Sequence, residues 1–349
     1  MIRVSDLDYL VCAPETTIRE ALNRLNNDRS HVFQIVIDAD RRVIGTVTDG
    51  DVRRAMLKEV TLEDSVEKCM NGAPVVGQSG DTAANRDKLR GTEFLPIVDT
   101  EGRIQQVLIQ ARAPLASRAL VMAGGFGKRL GAQTRDIPKP LLPVGERPIL
   151  DRLLAQLEDG GVEAITIAVH YRAEQVEAFV AARSNRADIN FIREPEPLGT
   201  VGALTLMPDA ADETTIVVNG DVVSRVDFAH LRNFHAEHDH DGTVAVSRYN
   251  VHIPFGVLRL GEDGLFSGIE EKPTNSYFVA AGIYMLSPEF VALTPRGRAV
   301  DMPELLEAGR REGLRVGLFP LHEYWRDVGQ PDDLVRARSE EHTSELQSR

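Results

Sequence analysis

The sequence predicts an α/β protein in two parts: a small α+β repeat, then an open, mostly parallel sheet flanked by helices. Three observations carry this expectation. Residues 1–113 hold two copies of one helix-strand-strand pattern, and residues 118–338 alternate apolar strand-like runs with helical periodicity. The apolar run 119–123 opens directly into Gly124-Gly125-Phe126-Gly127, the strand-to-loop transition of a parallel sheet. At 349 residues the chain can bury two cores.

In the first copy, Ile18, Ala21, Leu22 and Leu25 have helical spacing, followed by strand signals at 33–37 and 42–48. Aligning Val36-Ile37-Asp38 with Ile97-Val98-Asp99 superposes the copies without a gap and brings Val43 onto Ile104. Neither copy can bury both faces alone, so the two should pack as a pair. Residues 110–118 mix Ala, Pro, Arg and Ser and are expected to be a linker. Beyond them, Leu150, Leu153, Leu154 and Leu157 mark an amphipathic helix stopped by Gly160-Gly161. Strands are expected at 164–169, 189–192 and 215–218, with helices around Val176–Val180 and at 231–238. Residues 339–349 resemble translated adapter sequence more than a native helix and are set apart from the fold.

In the glycine loop, missing β-carbons let successive N–H groups approach one anion, and Lys128 and Arg129 add positive charge. The loop suits a triphosphate. Met122 stands where a Walker A loop needs glycine, and Leu130 replaces the third glycine of a dinucleotide fingerprint. Together, GGFGKRL and Pro138-Lys139-Pro140-Leu-Leu-Pro-Val resemble the signature of the sugar-phosphate nucleotidyltransferases, with mannose-1-phosphate guanylyltransferases the nearest type. That resemblance implies a Rossmann-like catalytic domain over 118–338, joining a nucleoside triphosphate to a sugar 1-phosphate with release of pyrophosphate. It assigns triphosphate binding to Ala123, Gly124, Gly125, Gly127, Lys128 and Arg129, and charge compensation near the α-phosphate to Lys139.

Glu194-Pro-Glu-Pro-Leu-Gly199-Thr200 matches the family's second nucleotide segment, where Glu194 would reach the base and Gly199 and Thr200 hold backbone near it. A carboxylate only accepts, and guanine offers two adjacent donors, so GTP is favoured over UTP, dTTP or CTP. By the same resemblance Asp221, in Val-Val-Asn-Gly-Asp, and Asp327, in Trp-Arg-Asp-Val-Gly, hold Mg²⁺. Two carboxylates suffice for an ion that keeps waters and phosphate oxygens. Glu271 and Lys272 are assigned to sugar hydroxyls and sugar phosphate, with Gly256 and Gly282 letting a pyranose lie close to backbone. His235, His238 and His240 lack the spacing of a metal site and are expected to be a polar helix end.

Gly45-Thr-Val-Thr48-Asp-Gly-Asp51 resembles the end of a CBS (cystathionine-β-synthase) module, so residues 1–113 look like a tandem CBS pair. The resemblance implies an adenine nucleotide with phosphate at Thr48 and ribose at Asp51, and homo-oligomers formed through the pair. The second copy has Ile109 and Arg112 at the matching positions, so at most one complete site is expected. A pair serving only dimerisation or spacing is the alternative, as is a nucleotide sensor on a transferase-like domain that does not turn over. The fused arrangement resembles guanylyltransferases of bacterial surface-sugar pathways, including those serving nonulosonic acids.

The formal charge of −13, with no long basic stripe, argues against a nucleic-acid partner. Cys12 and Cys69 are too few for a disulfide framework, and no apolar run approaches membrane-spanning length, so a cytoplasmic protein is expected.

Overall fold

The structure, a computed structural model, describes residues 2–4, 7–27, 33–110, 118–208, 213–329 and 333–334. The chain divides into two compact units, Met1–Leu115 and Ala116–Arg349. Most of the expected linker, Arg112 and the segment 339–349 lie outside the described residues, as does the side chain of Leu25. Among the described residues, no helix is long and apolar enough to cross a membrane.

The larger unit is built on a seven-stranded sheet. Across the sheet the strands run Asp188–Arg193, Ala164–Val169, Arg118–Met122, Thr215–Asn219, Thr274–Leu286, Gly242–His252, Val316–Pro320. All run parallel except Thr274–Leu286, which is antiparallel to both neighbours. The sheet is therefore mixed but parallel-rich. Its strand Arg118–Met122 is apolar from Ala119 onward because both faces are covered. Ala119 and Val121 pack under Leu150, Leu153, Leu157 and Phe228, while Leu120 faces the opposite way, toward Val201, Tyr284 and Leu305. Helices Ile149–Asp159, Ala173–Ala182 and Phe228–Glu237 carry the first layer, and Met302–Arg311 belongs to the second.

The smaller unit repeats one design. Phe33–Ile37 pairs antiparallel with Val43–Thr48, and Phe94–Val98 with Ile104–Ile109. Phe33 stands opposite Thr48 as Phe94 stands opposite Ile109. Both ladders slip at the equivalent step, Val36/Ile37 and Ile97/Val98, and Asp38 and Asp99 each accept backbone N–H bonds that close the intervening turn. The copies meet ring on ring, Phe33 against Phe94, with centroids 3.8 Å apart and planes 5° from parallel.

Candidate active site

The glycine loop leaves the carboxyl end of Arg118–Met122, where parallel sheets place ligands. Ala123 is buried beneath it, while Gly125, Lys128 and Arg129 face solvent. Gly127 has φ +63°, and an added Cβ there would meet Thr134 at 2.8 Å. The Thr134 hydroxyl donates to the Gly127 carbonyl at 2.9 Å, which pins the loop. Lys128 lies 5.2 Å over the Phe126 ring, which in turn meets His170 and Tyr171 edge-on and tilted. Tyr171 donates to the Arg135 carbonyl at 3.0 Å, so the turn after Ala164–Val169 clamps the segment following the loop.

Glu194 follows the neighbouring strand and is 7% exposed. A Cβ on Gly124 would meet its Oε2 at 2.5 Å, so the carboxylate occupies space that only glycine leaves free. Its Oε1 is buried without a hydrogen-bond partner. Burial pushes the carboxyl above its usual range, partly countered by the Leu198 N–H and by His170. Gly199, at φ +78°, packs on the Val300 carbonyl. The Thr200 N–H donates to Asp301 at 3.0 Å, and its hydroxyl accepts from the Met302 N–H at 2.8 Å. Thr200 therefore fixes its turn to the start of helix Met302–Arg311.

On the other side of the loop, the Gly220 N–H donates to the Met122 carbonyl at 2.8 Å, and a Cβ there would strike that oxygen. This contact sets Asp221 beside the loop. Lys139 is ion-paired with Asp221. Asp327 lies on the ribbon partner of Val222–Ser224, opposite Val222. Burial raises its carboxyl pKa, the Asp221 charge adds to the rise, and Lys139 and Arg129 oppose it. Arg129, Lys139, Asp221 and Asp327 thus form one electrostatic cluster. Two hard carboxylates, Asp327 at the cavity and Asp221 paired with Lys139, suit a divalent cation that takes its remaining ligands from water and phosphate. Among the described residues no cluster of three or more His, Cys, Asp or Glu is disposed to hold a metal.

Next to this cluster is a cavity of about 320 Å³ lined by Asn219, Tyr249, Gly282, Tyr284, Trp325 and Asp327. Gly282, at φ +73°, lies against the Asn219 amide, and the Trp325 indole donates to the Ala281 carbonyl at 2.8 Å. Gly256 and Glu271 are neighbours, a Cβ on Gly256 falling 3.0 Å from Glu271 Oε1. With Lys272, they sit exposed at a hairpin outside that lining. Sequence reasoning missed Asn219, Tyr249, Trp325 and the Tyr171 clamp. Asn219 and Trp325 fall inside motifs already singled out, whereas Tyr249 lies in the outer half of a strand with no motif of its own.

Of the three histidines, His238 caps the end of helix Phe228–Glu237 as expected and His240 follows it half-buried, but His235 is not part of a polar end. His235 is buried against Thr243 at 2.9 Å, and burial drops its pKa to about 4. In the smaller unit, Thr48 ends its strand and caps helix Asp49–Met56. Asp51 Oδ2 accepts from the Thr48 N–H at 2.9 Å and hydroxyl at 2.8 Å, and its other oxygen pairs with Arg54. The expected ribose acid is thus already engaged locally in a capping box.

Residues 118–344 match the family model for nucleotidyl transferases, and residues 4–58 match that for the CBS domain. The catalytic subunit beta of mannose-1-phosphate guanylyltransferase from Drosophila melanogaster is 34% identical over 227 residues, 63% of this chain and 61% of that one. Mannose-1-phosphate guanyltransferase from Schizosaccharomyces pombe is 35% identical over 228 residues, 62% of each chain. The chain therefore spans about three fifths of the length of the curated relatives it matches. Among solved structures, HddC from Yersinia pseudotuberculosis is 26% identical with a TM-score of 0.50, over 64% of this chain and 99% of that one. With about two thirds of its length under one family model and a parallel-rich sheet presenting that family's loop, this chain belongs to the nucleotidyl transferase family.

Proposed function

We propose that the chain transfers a nucleotidyl group from a nucleoside triphosphate, GTP favoured, to a hexose or hexosamine 1-phosphate, giving a nucleotide sugar and pyrophosphate. The observation that carries this reading is the Lys139–Asp221 pair. It joins the cation of the proline-rich segment to the acid of the fourth strand, beside Asp327 and a sugar-sized cavity. The mannose-1-phosphate guanylyltransferase relatives support the same reaction class and the same base.

A phosphate oxygen of the sugar 1-phosphate attacks the α-phosphorus in line as the bond to pyrophosphate breaks. That oxygen is already anionic, so no general base is needed, and catalysis is positioning plus charge neutralisation. Loop N–H groups at Gly124 and Gly125, with Arg129, hold the triphosphate. Lys139 offsets charge at the α-phosphate and Lys272 receives the sugar phosphate. Asp221 and Asp327 are the residues that would hold Mg²⁺, which when bound neutralises charge shared between the two phosphates. The CBS pair takes an adenine nucleotide at Thr48 and modulates turnover.

Pyrophosphate release across four triphosphates and a panel of sugar 1-phosphates tests the reading. GTP should give the highest kcat/KM, and Asp221→Asn or Asp327→Asn should cut turnover by orders of magnitude in a chain that still melts like wild type. Activity that persists in excess EDTA, or in both variants, rules the metal assignment out.

A further inference from the structure

Among the described residues of the site, Glu194 alone is both buried and left with an oxygen, Oε1, that has no hydrogen-bond partner. A buried carboxyl in that state is relieved in two ways, by a donor that a ligand brings or by a proton of its own. The two ways present different edges. Ionised, the carboxyl offers two acceptors; protonated, it offers one acceptor and one O–H donor. The edge changes while the group stays in place. Its Oε2 fills the space at Gly124, where an added Cβ would lie 2.5 Å away. The Glu194 N–H donates to the Val169 carbonyl at 2.9 Å, and the Glu194 carbonyl accepts from His170 Nδ1 at 2.9 Å.

Guanine carries N1–H beside the N2 amine, two donors for two acceptors. Uracil carries N3–H beside O4, a donor and an acceptor, which complement the protonated carboxyl. In the crossed pairings like meets like, and burial makes each mismatch costly. The surroundings leave both forms within reach. Burial favours the neutral carboxyl, the Leu198 N–H favours the ionised one, and His170 is the group whose charge acts on it. The other charges on neighbouring elements are engaged elsewhere or exposed. Lys128 lies over the Phe126 ring, Arg193 pairs with Glu174 and Glu177, Asp301 accepts from the Thr200 N–H, and Glu196 faces solvent.

Resting on the reading that Glu194 meets the base, we propose that one proton on Glu194 selects the nucleotide, GTP when the carboxyl is ionised and UTP when it is protonated. The chain thereby has a second activity, transfer of a uridylyl group to the same sugar 1-phosphate with release of pyrophosphate. Binding UTP draws a proton from solvent onto Glu194, and binding GTP expels any proton held there. Because burial raises the carboxyl, the protonated form is reached closer to neutrality than on an exposed Glu.

Calorimetry of the full chain with GTP and UTP, at about pH 6 in buffers of different ionisation enthalpy, counts those protons. UTP should take up more than GTP, by as much as about one proton per site. Contributions common to both complexes, from Asp327 and the triphosphate, cancel in the difference. The wild-type kcat/KM ratio of GTP over UTP should rise about tenfold or more between about pH 6 and about pH 8. Glu194→Gln, whose amide keeps the edge of the protonated acid and cannot titrate, should show no difference in uptake and a low, flat ratio. Equal uptake in wild type overturns the proposal, and the wild-type measurements decide it even where the variant fails to fold. A difference that survives in Glu194→Gln also overturns it, since the proton then sits on another group such as His170. Turnover of GTP with equal uptake leaves the reaction standing and removes this inference. The expected difference in a chain that releases no pyrophosphate with any sugar 1-phosphate upholds the proton-selected base and removes the reaction.

Discussion

At the scale of single residues, the decisive group is Glu194. Its carboxylate is buried with one oxygen unpartnered, a state that costs free energy until a donor arrives. Guanine presents two adjacent donors, while uracil presents one between two acceptors, so the proposed base contact favours guanine. Glu194→Gln should therefore lower the GTP-to-UTP ratio of kcat/KM by roughly ten- to a hundredfold, corresponding to about 1–3 kcal/mol. An unchanged ratio refutes the base assignment. The acids and cations were legible in the sequence as positions because each lies in a short motif. Thr200 was legible as a position but not in its contacts. Its partners Asp301 and Met302 lie about a hundred residues away, and no local pattern announces such a pairing.

Among the elements, helix Met302–Arg311 shows how packing overrides propensity. Gly309 sits inside it, and alanine would raise helix propensity by about 1 kcal/mol. A Cβ there would fall 2.2 Å from the ring of Phe290, which is fully buried between this helix and its neighbours. The ring has no solvent to swing into, so overpacking wins, and Gly309→Ala should destabilise the chain by about 1–3 kcal/mol in urea unfolding. An increase in stability would mean that the ring relocates freely. This helix escaped the sequence reading because its charged, glycine-containing stretch hides the apolar stripe of Met302 and Leu305.

For the whole molecule, the parallel-rich sheet followed from alternating strand and helix signals. Its one antiparallel strand, Thr274–Leu286, did not, because period-two alternation carries no direction. The repeat in the smaller unit was legible as a gapless alignment, and its two copies share one cross-strand register. We expect calorimetry on the full chain to find one adenine-nucleotide site, weakened at least tenfold by Asp51→Ala, with turnover altered by the same ligand as linkage requires. Two sites per chain, or binding indifferent to Asp51, removes the reading.

The stacked rings of Phe33 and Phe94 give that result a mechanical meaning. They are equivalent positions of the two copies, so their contact stands near the pseudo-axis of the module. The scaffold repeats on either side, but the rim does not, with a hydroxyl at Thr48 and a hydrocarbon at Ile109. A ligand gripped on one side only has no twin to balance it. We expect a ligand held at Thr48 alone to load one copy and not the other, so that its effect passes through the Phe33–Phe94 contact.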